Sequence, residues 1–399
     1  MPMIRLRLFL AGRFASTLGD QLLLFAIPLI VFRTTGSAAM SGLAFLCEWL
    51  PRVLSLPVAG ALSDKMGGRR VYLFADGIRA AACLLAALTL AAWPERSFAL
   101  CAMLMAVCAA CYAQAFIALE STIPRLVSPE RMPKAQSLLQ AMDYSSSLLG
   151  PALAGSLALW LPISRLPIIA ALAFGLSALA ALATPGAAAN VASPGKPYQL
   201  RQGFGLLRTA RPLQALVALS MLVNLIIGLA LSTGAALTIG AFGQGDQTYA
   251  GLQTGMGALS IASFLLIPWL LKKANVYQLG IAAFALIVCG GLLMGAARQF
   301  WLFAMGYALS FGLCGLFNVF IRTERLHWIE RDQLGRAISV IVLLNQLSLP
   351  LAGLLVAALG NRIAPQMLFY AAALLAGALG LPLSAYLRPR AITARATPA

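Results

Sequence analysis

Seven charged side chains fall inside stretches that are otherwise apolar: Arg13, Asp20, Glu48, Arg52, Asp76, Arg79 and Asp143. Near a bilayer centre a lone charge costs about 2.5–3.5 kcal/mol on insertion scales, so each needs a partner or a task. The chemistry open to buried carboxylates is reversible proton uptake, because loss of water disfavours their charged form. Asp20 lies near the middle of the first apolar run, after Gly19 and beside Gln21. Asp143 lies in the fifth run and precedes Tyr144-Ser-Ser-Ser147, hydroxyls that suit a wet path. Glu48 and Arg52 stand one helical turn apart around Pro51 and can pair on one face. Two roles stay open. Asp20, Asp143 and Glu48 are proton-coupling candidates, with Glu48 releasing Arg52 on protonation; or they pair quietly with Arg13, Arg79 and Arg52. Asp76 is expected to pair with Arg79 or with the arginines before it. The second half's apolar runs hold almost no charge; Asn224, Asn318 and Asn345 are their main polar groups, with Arg322 at a rim.

The elements that must position these groups are membrane helices. The 399 residues are 61% hydrophobic and only 10% charged, and their mean hydropathy is +0.87. A soluble globule needs about a quarter charged residues. Apolar runs of about 20 residues, enough to cross about 30 Å of hydrocarbon as helix, recur throughout; they lack the alternation of transmembrane strands. Twelve spans are expected: 8–32, 41–62, 71–92, 98–119, 135–161, 166–184, 213–242, 249–271, 278–297, 300–321, 337–359 and 365–387. No cleavable signal is evident, since the first run continues past signal length. The seven cysteines all fall in apolar runs and read as buried small hydrophobes. Trp160, Trp269 and Trp301 fall near span ends, as interfacial anchors do.

Charge fixes the expected orientation. Of 29 Lys and Arg, the threading with both termini cytoplasmic puts 21 inside. Arg33, Arg96, Arg165, Arg298 and Arg362 then fall outside, and Arg13, Arg52 and Arg79 within spans. The net charge of +17 thus records topology and contact with anionic lipid, not nucleic-acid binding. An echo supports duplication: Lys134, Ala135 and Ser137 after the fourth span match Arg336, Ala337 and Ser339 after the tenth. The expected class is an all-α polytopic protein of 12 transmembrane helices in two pseudo-symmetric six-helix bundles. The expected division is residues 1–184, a cytoplasmic linker over 185–212, and residues 213–399.

Between the second and third runs lies Gly60-Ala-Leu-Ser-Asp64-Lys65-Met-Gly67-Gly-Arg69-Arg70, followed by Asp76 and Arg79. A sharp turn carrying both signs of charge suits a gate, because ion pairs there form and break as helices rock. It resembles the signature of the major facilitator superfamily between its second and third helices, Gly-x-Leu-x-Asp-Arg-x-Gly-Arg-Arg/Lys. Gly60, Leu62, Asp64, Gly67 and Arg69 match, and Lys65 is a conservative stand-in. Gly68 stands where that family usually has an arginine, leaving Arg69 or Arg70 to make its contact. The resemblance implies that Asp64 caps a neighbouring helix and engages basic groups to hold the cytoplasmic side closed. Gly150-Pro151-Ala-Leu-Ala-Gly155 resembles the Gly-Pro-x-x-x-Gly element of antiporters; a packing kink and a coupling hinge both fit it. Ile123-Pro124-Arg-Leu-Val, Gln202-Gly203-Phe204 and Leu334-Gly335-Arg336 look like the drug:proton antiporter branch that holds macrolide and siderophore exporters.

These features imply a proton-coupled exporter of an amphipathic small molecule, a siderophore or a drug, working by alternating access. An importer of a small metabolite with the same fold is the alternative, and a lipid scramblase a further one. Arg13, Arg52, Gln114, Tyr144, Asn224 and Asn345, with Trp49 and Tyr112, are the expected cavity lining. The expected partners are the transported molecule, protons and lipid, with no cofactor, metal, ATP or nucleic acid. The single histidine, His327, supports no metal site or catalytic triad, and no nucleotide loop is present, so no enzyme is expected. A monomer in a bacterial-type cytoplasmic (inner) membrane is the expected form.

Overall fold

The computed structural model describes residues 3–126, 132–182, 196–329 and 333–393. Long apolar runs with few strand formers fold as helices, since in lipid every backbone group must bond within its own segment. Thirteen α-helices result: α1 (Met3–Thr35), α2 (Ala38–Met66), α3 (Gly68–Ala92), α4 (Ser97–Leu126), α5 (Met132–Leu157), α6 (Leu166–Leu182), α7 (Lys196–Thr209), α8 (Arg211–Ala235), α9 (Asp246–Leu270), α10 (Val276–Ala296), α11 (Phe300–Leu326), α12 (Leu334–Leu359) and α13 (Pro365–Thr393). No strand occurs among the described residues. Among the described residues, ten helical segments are long and apolar enough to cross a membrane. The other two long helices, α2 and α5, carry Glu48 with Arg52 and Asp143 with the serine run.

Every expected span lies on one of these helices, with three corrections. The segment Gly60–Met66 is not a loop: α2 runs through it, and α3 begins at Gly68. Gly67 alone breaks the helix, at φ 83° and ψ 136°, a conformation that glycine adopts without Cβ strain. The second is a refinement rather than a contradiction: within the expected linker, Lys196–Thr209 forms α7, whose Gln, Leu and Arg residues are good helix formers. The third is that α5 ends at Leu157, four residues before the expected end of that span. The seventh span has a feature of its own, since Ala236–Ala241 continue α8 as one π-helical stretch.

Two compact units form, Met1–Pro194 with Gly243–Gly257, and Gly195–Phe242 with Ala258–Ala399. In the first, α1 packs on α5 and α6, and α3 on α4 and α6. In the second, α8 packs on α12 and α13, and α10 on α11 and α13. The same four pairings thus occur in each unit, as a duplicated six-helix plan requires. Glycine lets helices approach closely. A Cβ at Gly150 of α5 would stand 2.3 Å from the Gln21 Cβ of α1, and one at Gly12 would stand 2.6 Å from the Ala180 Cβ of α6.

Leucines are turned outward, among them Leu88 at 71%, Leu179 at 64% and Leu374 at 62% exposure. On a soluble protein such a surface would aggregate; here it is the face that meets lipid. Trp160, Trp269 and Trp301 are exposed at helix ends, where headgroups favour amphipathic rings. Among the cysteines, Cys83, Cys101, Cys108 and Cys111 are buried as expected, whereas Cys289 of α10 is exposed.

Candidate transport site

The interior charge is unequal. Every charged residue that is buried among the described residues belongs to the first unit: Arg13, Asp20, Glu48, Asp76 and Arg79. Helical periodicity explains how they meet. Arg13, Ser16, Thr17 and Asp20 recur at three- and four-residue steps along α1, and Tyr72, Asp76 and Arg79 do the same along α3. Each set therefore forms one stripe facing a neighbour.

Arg79 is fully buried and joins the two stripes. Its Nη1 donates to Asp76 Oδ1 at 2.8 Å and to Ser16 Oγ at 3.2 Å, and its Nη2 donates to Asp20 Oδ1. The Phe174 ring of α6 covers the guanidinium at 3.9 Å. Ser16 also donates to Asp76 Oδ1, at 3.3 Å. Arg13 reaches the other way, its Nη2 donating to Asp143 Oδ1 of α5 at 3.2 Å, while Thr17 and Ser146 hydroxyls meet at 2.8 Å. Asp20 and Asp143 are therefore paired with arginine in this conformation, and Asp76 takes Arg79 as its partner.

Glu48 and Arg52 differ from expectation. They line a common pocket with Asp20, between Leu23 and Leu24 of α1 and Met105, Cys108 and Ala109 of α4. No ion pair joins them. The Arg52 guanidinium lies instead over the Trp49 ring at 4.4 Å and the Tyr112 ring at 3.9 Å. Two aromatic faces hold a guanidinium that the i, i+4 spacing assigned to Glu48, because flat ring clouds attract a weakly hydrated planar cation. Glu48 is 2% exposed, and its Oε1 has no hydrogen-bond partner. The pocket has room for about one water molecule at most.

The remaining candidates fall elsewhere. Gln114 donates through Nε2 to the Ser55 carbonyl at 3.3 Å, and its Oε1 is buried without a partner. Tyr144 is half-buried on α5, and its carbonyl accepts from Ser147 at 2.8 Å. In the second unit Asn224 donates to the Asn345 carbonyl at 3.1 Å, tying α8 to α12. Pro151 lies inside α5. The carbonyl of Gly155 accepts from Gln247 Nε2 at 2.8 Å, and a Cβ on Gly155 would stand 2.4 Å from the Ala250 Cβ of α9.

Of the expected gate, Arg69 caps the end of α6: Nε donates to the Ala181 carbonyl at 3.0 Å and Nη2 to that of Leu182 at 2.6 Å. Lys65 and Arg70 are exposed. Gly60 lies within α2. The Asp64 side chain lies outside the described residues, as do those of Lys134, Ser137 and Arg336 and the stretch around Ile123–Arg125.

Sequence reading missed Ser16, Thr17, Tyr72 and Ser177, whereas Ser146 belongs to the expected run of hydroxyls after Asp143. The signal was present, since each lies three, four or seven residues from a buried charge on the same helix or bonds to a residue that does; Tyr72 and Ser177 hydroxyls meet at 3.2 Å.

A multi-pass helical protein whose ionisable groups are gathered inside one bundle has the build of a secondary transporter. The chain belongs to the Major Facilitator Superfamily, whose family model matches residues 9–323. It is 30% identical over 206 residues to the multidrug efflux pump Tap of Mycobacterium tuberculosis, covering 50% of this chain and 47% of that protein. It is 28% identical to the lysophospholipid transporter LplT of Citrobacter koseri, covering 48% of this chain and 46% of that one. These matches span about half the length of those relatives. Among solved structures, a point mutant of the nucleoside transporter NupG aligns with a TM-score of 0.76 at 13% identity, covering 96% of this chain and 99% of that one. A bacterial homologue of the iron transporter ferroportin in an inward-facing state aligns at 0.73 and 17%, again covering 96% and 99%.

Proposed function

We propose that this transporter exports an amphipathic small molecule in exchange for protons, from a bacterial cytoplasmic membrane in which both termini are cytoplasmic. One observation carries the reading: Asp20 both lines a pocket with Glu48 and Arg52 and bonds Arg79. A proton at Asp20 alters the charge beside Glu48 and Arg52 and the ion pair that ties α1 to α3. The likeness to Tap and LplT, whose names specify drugs and a lysophospholipid, supports an amphipathic cargo. Among the two cargo classes expected from sequence, Tap favours a drug over a siderophore. Alternating access between the bundles follows the family plan, with Gly150, Pro151 and Gly155 as the flexing element and the Gly60–Arg70 segment as the cytoplasmic gate.

Everted membrane vesicles from cells producing the protein test this with ethidium, a lipophilic fluorescent cation. Acidifying the vesicle lumen should drive ethidium inward, and a protonophore should collapse the accumulation. Uptake equal to that of vesicles lacking the protein, or proton-driven uptake only into right-side-out vesicles, would refute export.

A further inference from the structure

The cluster around Arg79 holds one guanidinium and two carboxylates. Asp20 and Asp76 both bond Arg79, yet the second oxygen of each, Oδ2, is buried with no hydrogen-bond partner, as is Arg79 Nε. Fully ionised, the cluster carries one excess negative charge in a site largely closed to water. Two carboxylates sharing one guanidinium in such a site disfavour joint ionisation, and a single proton relieves the conflict. The two acids are not equivalent. Asp76 is fully buried and faces Ser16 and Arg79, whereas Asp20 also borders the pocket.

From this asymmetry we propose that Asp76 is the standing counter-ion of Arg79, and that its presence frees Asp20 to bind and release one proton at Oδ2. Taking up the proton converts the Asp20 carboxylate to a carboxylic acid and the cluster from one net negative charge to neutral. Arg79 keeps a full partner in Asp76 throughout. Asp76 and Arg79, which the sequence placed in the cytoplasmic gate, thereby act as positioning residues for the proton site. This deepens the proton-coupled reading and rests on it only for the proton's use in transport.

The surrounding groups come from helices α1 to α6 of the same unit. Arg13 shares α1 with Asp20, pairs with Asp143 of α5 and also acts electrostatically on Asp76. Glu48 and Arg52 face the pocket from α2. Tyr72 and Cys83 lie on α3, Cys108 and Cys111 on α4, and α6 contributes the Phe174 ring and Ser177.

Infrared difference titration of the purified full chain in detergent reads carboxyl protonation without any cargo, so its outcome is separate from that of the vesicle assay. In a Glu48→Gln background, which removes the other buried carboxyl with an unpartnered oxygen, the protein should show a protonated-carboxyl band that is lost on adding Asp20→Asn, a change that leaves Arg79 with Asp76. In Asp76→Asn on the same background, Asp20 becomes the sole carboxylate partner of Arg79, and the band should titrate at a pH lower by about one unit or more, a tenfold change in proton binding. The double variant Asp76→Asn with Arg79→Gln removes both charges and should move the titration back toward that of the Glu48→Gln background. Persistence of the band in Asp20→Asn overturns the proposal, as does an unchanged titration in Asp76→Asn. Should Asp76→Asn fail to fold, Asp20→Asn alone decides.

Discussion

Removing either member of the Arg13–Asp143 pair should have very different consequences. The Arg13 side chain is 2% exposed and that of Asp143 is 42% exposed, and the two meet at 3.2 Å. Substituting Asp143→Ala leaves a guanidinium in the interior without a counter-ion, with Nη1 already unpartnered. Breaking a buried pair this way costs about 3–5 kcal/mol. Substituting Arg13→Met fills similar space with an apolar chain and leaves a carboxylate that water reaches. Pairs exposed to that degree contribute under about 1 kcal/mol. The expected order is therefore a loss of about 3 kcal/mol for Asp143→Ala and about 1 kcal/mol or less for Arg13→Met. The double variant should lie near Arg13→Met, because the stranded cation is gone. Thermal unfolding of the purified proteins in one detergent, followed by loss of the monodisperse fraction, measures the order. Equal destabilisation by the two single variants would refute the argument from asymmetric burial.

Two further substitutions probe the backbone. Gly67→Ala places a Cβ at φ 83° in the single residue joining α2 to α3, a strain of about 1–3 kcal/mol; the midpoint of thermal unfolding should fall, and an unchanged midpoint contradicts the turn. Gly150→Val forces side-chain atoms into Gln21 of α1, at about 1–3 kcal/mol for overpacking. Ethidium transport should fall further than the amount of folded protein if α1 and α5 move against one another, and in parallel with it if the contact is only packing.

Membrane class, helix positions and the concentration of charge in the first half were legible in the sequence because hydropathy and the cost of buried charge act locally along the chain. Pairing was half legible. Asp76 with Arg79 follows from a three-residue step on one helix, but Asp20 with Arg79 is a contact between helices 59 residues apart in the chain, which no local spacing encodes. The Glu48–Arg52 pair that helical spacing allows is not formed here for the same reason: Tyr112 comes from α4, and its ring competes for a cation that i, i+4 geometry gives to the carboxylate. Gly60–Arg70 read as a loop because glycine and charge weaken helix propensity; yet only Gly67 has the dihedral angles that end a helix, and propensity is overridden wherever backbone bonds can continue. Helix α7 was hidden by averaging its 14 residues with the Pro- and Ala-rich stretch before it.

The central claim, that a proton at Asp20 drives transport, is tested most directly in proteoliposomes with wild type and Asp20→Asn compared at equal folded amounts. Wild type should concentrate ethidium against its gradient when the pH difference is imposed, whereas Asp20→Asn should equilibrate it, still exchanging labelled for unlabelled dye. Uphill accumulation by Asp20→Asn with the pH dependence of wild type would contradict the account.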